Sequence, residues 1–308
     1  MIALPDPEDL YTLDADLPEL TNSVMLYSLD GFIDAGAAGA LVTEHLLAGL
    51  EHHEVATFDV DRLIDYRSRR PVMTFVKDRW QHYDPPALVL HTVRDSGGTP
   101  FLLLAGPEPD HEWELFIAAV AGLVERMEIR VAVSYHGIPM AVPHTRPLGL
   151  TAHATRPELV AGYTPFLNRV QVPGSAAALL EFRLGESGRD AIGFAVHVPH
   201  YLAQSPYPAA ALTALDAIVK ETGLALPTES MRERAHRADA EITRQVEGSE
   251  EITALVRALE EQYEAFADAG PGNLLADESG NLPTADEIAA QFEQFLAQQD
   301  GPGDNPDR

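Results

Sequence analysis

At 308 residues and 33.5 kDa the chain can hold one large domain with an extension, or two domains. Twenty-one Lys and Arg against 48 Asp and Glu give a net charge of −27, so a phosphate backbone or an anionic lipid surface would repel it, and neither nucleic acid nor a membrane is an expected partner. The absence of cysteine excludes disulfides, thiolate-held zinc, iron–sulfur clusters and a cysteine nucleophile, and suits a reducing, cytoplasmic setting.

Thirteen acids and no Lys or Arg precede Arg62, so the start of the chain lacks the positive region of a secretory signal, and export by that route is not expected. The longest apolar run, residues 115–124, is half of the ~20 residues that cross a bilayer. Residues 23–29 (SVMLYSL) read as a buried strand, 30–36 (DGFIDAG) as a loop and 37–50 as a helix, a strand–loop–helix unit. Residues 54–60 form a second strand. Residues 87–93 and 100–105 flank a Gly97-Gly98 turn as a hairpin. Asp110 is placed to cap a helix reaching about Glu128, with Trp113, Phe116, Ile117, Val120 and Val124 at helical spacing.

Residues 129–135 (IRVAVSY) read as a central strand, and 136–147, with three prolines and no periodicity, as an ordered loop near the strand ends that pairs Arg146 with a carboxylate. Residues 150–155 return to the sheet, 174–184 form a short helix, 191–198 another strand and 205–221 a helix capped by Ser205 with Pro206 in its first turn. Alternating strands and helices of this kind predict an α/β domain over residues 1–222. Beyond Gly223 only helical periodicity remains. Residues 228–246 and 252–266 predict two amphipathic helices, 270–283 a loop, and Thr284 with Glu287 a capping box before Ile288, Phe292, Phe295 and Leu296. A C-terminal helical extension over 223–300 and a disordered tail over 301–308 follow, with 20 acids against six arginines after residue 220.

Asp30 and Asp34, Asp95, Tyr135 and His136, and His197 and His200 all follow predicted strands, and in open α/β sheets crevices form beyond the carboxyl ends of strands. One reading makes Asp95, His136, His197 or His200 acid–base groups, with an Asp orienting a His. The other makes them ordinary polar residues of loops, and predicts that they do not all converge. Gly31, Gly36 and Gly39 match neither GxGxxG nor a Walker spacing, and Asp30 and Asp34 make that loop negative, so helix capping suits them better than phosphate binding. His197 and His200, with His144 and His153 elsewhere, lack the spacing of a metal site, and no metal or cofactor is expected. Ser134 and Ser175 lie outside any GxSxG pattern. Arg62, Arg67, Arg69, Arg70, Lys77 and Arg79 concentrate basic charge in eighteen positions. They form either an anion pocket or docking surface, or partners for the chain's own carboxylates. His144 and Arg146 on the Pro-rich loop are further binding candidates.

The segments GFIDAG (31–36), DYRSRRPVMTF (65–75), FLLLAGPEPD (101–110), GIPMAVPHTRP (137–147) and VPHYLAQSPYP (198–208) resemble the actinobacterial branch of the proteasome assembly chaperone family. The resemblance covers nearly the whole chain to about residue 270. It implies a three-layer α/β/α sandwich similar to purine nucleoside phosphorylases, with a helical insertion or extension and usually self-association, and proteasome subunits as partners. Eukaryotic relatives dock through a hydrophobic–Tyr–X tail. This sequence ends Asn305-Pro306-Asp307-Arg308, so docking in that mode is not expected. The resemblance supplies no catalytic residue. A non-enzymatic assembly chaperone or scaffold is therefore expected, forming a homo-oligomer with a trimer as the working guess. The alternative is a phosphorylase- or hydrolase-like enzyme acting on a small molecule in the strand-end crevice.

Overall fold

Four strands whose apolar residues recur on both faces form the centre of a mixed sheet in the computed structural model, which describes residues 5–15, 20, 22–165 and 169–269. They are β2 (Val24–Asp30), β7 (Pro100–Pro107), β8 (Val131–Met140) and β10 (Ala191–Pro199), parallel in the order β7-β2-β8-β10. On the β7 side, β6 (Val89–Arg94), β3 (His52–Phe58) and β1 (Tyr11–Leu13) add antiparallel, and on the other side β9 (Leu150–Ala154) pairs antiparallel with β10. Parallel strands need covered faces, and helices supply the cover. On one face α1 (Ala38–Gly49) and α5 (Pro208–Thr222) pack Val42, Leu46, Leu215 and Ile218 on Leu26, Val133 and Phe194. On the other, α3 (Trp113–Arg126) and α4 (Ala176–Glu186) set Phe116, Val120, Leu180 and Leu184 on Met25, Tyr27 and Leu104. Each fully buried Leu or Phe of these layers contributes about 1.5–3 kcal/mol. The result is the three-layer α/β/α sandwich.

One turn of helix, α2 (Val60–Leu63), follows β3, and a separate two-stranded sheet, β4 (Met73–Val76) with β5 (Arg79–Tyr83), follows it. After the sandwich, α6 (Glu229–Glu247) packs on α5 and buries Met231 and Ala235, and α7 (Glu250–Ala269) comes next. The chain divides into two compact units, residues 1–163 with 174–263 and residues 164–173 with 264–308. The sheet and all sites discussed below lie in the first; in the second, Val170 and Val172 are exposed.

Local chemistry moved several boundaries. The strand expected to stop at Tyr135 continues to Met140, because β10 pairs along it as far as Pro199. Asp110 does not cap α3. Its carboxylate is taken by the Asp65 amide and Arg69, and Glu112, in the left-handed region, begins the helix instead. Pro208, not Pro206, occupies the first turn of α5, after Tyr207. The expected loop over 270–283, the capping-box helix at Thr284 and the tail over 301–308 lie outside the described residues.

Candidate functional site

The carboxyl ends of β7, β2, β8 and β10 share one edge of the sheet, where Asp30, Glu108, Gly137 to Met140 and His200 lie. Asp34 binds the loops of that edge together. Its Oδ1 accepts from the Gly39 and Gly137 amides, each at 2.9 Å, and its Oδ2 from the Ala40 amide at 3.1 Å. It thus joins the first turn of α1 to β8. Close approach there is steric as well, since a Cβ at Gly137 would overlap the Ala35 carbonyl. Asp30 stands at the rim, and burial together with the neighbouring Asp34 raises its pKa against the pull of Arg69.

The basic segment does reach this edge. Arg69 donates to the carbonyls of Asp30 (3.2 Å) and Glu108 (2.6 Å) and to Asp110 Oδ1 (2.8 Å), so its guanidinium closes the gap between the ends of β2 and β7. Arg62 pairs with Glu112 at 2.7 Å. Those donors serve the protein itself. Arg67 and Arg70 are exposed, and although the Arg67 amide donates to Asp65 Oδ1, neither guanidinium pairs with a carboxylate among the described residues.

Asp95 is at the opposite edge, because β6 runs against β7. There Oδ1 accepts from the Gly97 and Thr99 amides and Oδ2 from the Ala225 amide, fixing the hairpin turn to the segment after α5. It cannot meet the histidines. His200 is exposed, with its ring edge-on to Tyr201. The Pro-rich loop is tied to its surroundings at several points: His144 Nδ1 and the His144 amide both reach the Tyr201 hydroxyl at 2.8 Å, Arg146 pairs with Glu260 at 3.0 Å, Thr145 bonds the same carboxylate, and the Tyr263 hydroxyl donates to the Pro147 carbonyl. Burial lowers the pKa of His144 and raises that of Asp239 on α6. The binding candidates of this loop thus hold α7 against the sandwich.

The remaining predicted histidines belong to a polar patch on the α4 face of the sheet. In register across β8, β10 and β9 lie Ser134, Gly193 and His153, then His136, Ala195 and Thr151. His197 is buried one step further along β10, with Nε2 2.8 Å from Thr151 Oγ1, and burial depresses its pKa to about 4. Burial, then the nearby His153, lowers that of His136. From α4, Glu181 Oε1 accepts from His153 Nδ1 at 2.8 Å. The His153 ring packs against Gly193, where any Cβ would overlap its Cε1 and Nε2. Ser134, Thr151, His153 and Glu181 were not singled out as one site from sequence. The available signal was a period-two run of small and polar residues, Ser134 and His136, then Gly193, Ala195 and His197, inside otherwise apolar strands. Among the described residues no group of three or more His, Asp or Glu is placed to hold a metal ion, and no helix is long and apolar enough to cross a membrane.

Residues 28–246 match the model of the PAC2 family. The chain belongs to the PAC2 family. Among solved structures, this PAC2 chain is similar to a Mycobacterium tuberculosis protein of unknown function, at 46% identity over 94% of this chain and 96% of that one, with a TM-score of 0.82. It is also similar to a protein of unknown function from Corynebacterium glutamicum, at 38% identity over 85% and 99% of the two chains and a TM-score of 0.81. A Mycobacterium tuberculosis proteasome-assembly chaperone homologue shares the fold, at 23% identity over 76% and 99% and a TM-score of 0.70. No curated protein matches the chain.

Proposed function

We propose that this PAC2 protein is a proteasome-linked assembly chaperone or scaffold that acts by holding other chains. Membership of the family and the fold it shares with a proteasome-assembly chaperone homologue support this reading. The observation that carries it is the β4–β5 arm. Met73, Phe75, Trp80 and Tyr83 are exposed on it, Phe75 by 54% and Trp80 by 61%, and the two large rings touch only edge to face. A two-stranded sheet is marginal by itself, and aromatic side chains left in water are surface for another chain. The arm and the residues before it are basic within a chain of net charge −27, so a second copy of this acidic protein is a complementary partner. Self-association through the arm follows, with a trimer as the working stoichiometry, in the cytoplasm. Arg67 and Arg70, exposed beside the arm in sequence, are assigned to partner contact.

Assembly of proteasome α subunits, co-expressed with and without this chain, tests the role. The chaperone reading requires a larger assembled fraction with the chain present, and an unchanged fraction contradicts it. A second reading, turnover of a small molecule at the strand ends, draws on the polar patch around His153. Asp95, one of the acid–base candidates of the sequence, and Asp34 and Arg69, two of its binding candidates, are occupied in holding the backbone, which favours the first reading.

A further inference from the structure

Away from the β4–β5 arm and its flanking Val72, the most exposed large apolar side chain of the first compact unit is Phe182 on α4, at 59%. At about 100° per residue, a helix that turns Leu180 and Leu184 to the core turns position 182 away from it. Phe is also a poorer helix former than the Gln, Lys or Glu that suit a solvent-facing position. Neither the core nor the helix calls for it.

The surroundings of the ring are fixed and acidic. Arg183 donates to Glu114 of α3 at 2.6 and 3.1 Å and to Glu186 at 2.6 Å, and its guanidinium carbon stands 5.7 Å from the centre of the Phe182 ring. Two carboxylates share that one guanidinium, so the group keeps a net negative charge beside an exposed aromatic. The arm has the opposite character. Phe75 and Trp80 meet edge to face at 5.0 Å, Lys77 and Arg79 are exposed on the same turn, and only Arg79 finds a carboxylate, that of its neighbour Asp78.

We infer that the arm of one copy docks on the Phe182 surface of α4 in a second copy, with Phe75 and Trp80 against the Phe182 ring and Lys77 and Arg79 toward Glu114 and Glu186. Aromatic anchors rimmed by opposite charges are what such a contact requires. The inference rests on the self-association proposed above and names the surface that the arm meets. It makes the contact head to tail: every chain offers both an arm and a receptor, so copies join into a ring or a row and not into a two-fold pair.

The test is sedimentation velocity on the full chain and on Trp80→Asp and Phe182→Asp, alone and mixed in equal amounts, each first checked for the native thermal transition. Ser at the same position replaces a variant that fails to fold. The wild type should be oligomeric, and each variant alone should self-associate at least about tenfold more weakly. The mixture should form a 1:1 dimer and grow no further, because only the intact arm of one variant and the intact Phe182 of the other can meet. Phe182→Asp that associates like the wild type overturns the inference and leaves association through the arm standing. Two weakened variants that give no mixed dimer overturn it as well. An unchanged Trp80→Asp removes the arm from the interface, and a wild type that stays monomeric up to about 100 μM removes self-association itself; the inference falls with either.

Discussion

Replacing Asp34 by Ala removes three hydrogen bonds from one carboxylate, two at the start of α1 and one on β8. Hydrogen bonds to a charged group contribute about 1.5–3 kcal/mol each, but the three are not additive, and water can reach the Ala40 amide, which is only partly buried. The loss of the helix cap accounts for about 1 kcal/mol. The Gly137 amide, buried on β8 and left without an acceptor, accounts for about 2 kcal/mol more. A loss of about 3 kcal/mol is therefore expected, or roughly 10 °C in melting temperature for a unit of this size. Asp34→Asn keeps an acceptor oxygen and should cost about 1 kcal/mol, and Asp30→Ala, at the open rim, less than about 0.5 kcal/mol. Urea titrations at a fixed protein concentration measure all three, since self-association would otherwise shift the midpoint. If Asp34→Ala unfolds within about 0.5 kcal/mol of wild type, or no differently from Asp30→Ala, Asp34 is not the tie described above.

His197 is held near pKa 4 against the ordinary 6.5, so it is neutral in the fold and takes up a proton on unfolding below pH 6.5. Its contribution is full above that pH and falls away toward pH 4, by about 3 kcal/mol in all, so urea titrations of His197→Gln should show a flatter decline over this window than wild type. The Arg146–Glu260 pair is about one-third exposed, and a double-mutant cycle on thermal stability should return a coupling of about 0.5–1 kcal/mol, with none measurable if the helical extension does not rest on this contact. If the chain self-associates through the arm as proposed, light scattering should show an oligomer for the wild type and a monomer for a folded Trp80→Asp, and an unchanged mass would remove the arm from the interface.

The alternation of strands and helices was readable because apolar periodicity changes cleanly between them, as at 23–29 and 37–50, whereas their three-layer arrangement was implied only by the family resemblance. Pairing direction was not. Asp95 and His136 both follow an apolar run, but β6 enters the sheet antiparallel, so the two residues sit at opposite edges, and only long-range pairing decides that. The β4–β5 arm was missed because its strands are exposed and lack a buried stripe. Arg69 and Arg146 were legible as basic residues in need of carboxylates, but the identity of Asp110 and Glu260 depends on contacts 41 and 114 residues away in sequence. The Glu181–His153 pair joins a helix to an edge strand, and neither residue stands in a motif that would announce the other.

The central claim, that this PAC2 protein works by holding proteasome subunits, is tested most directly by sedimentation velocity of the purified chain mixed with purified proteasome α subunits. A new, faster boundary containing both chains, saturating at micromolar concentration, is the predicted result. Two boundaries that sediment independently up to about 100 μM would contradict it.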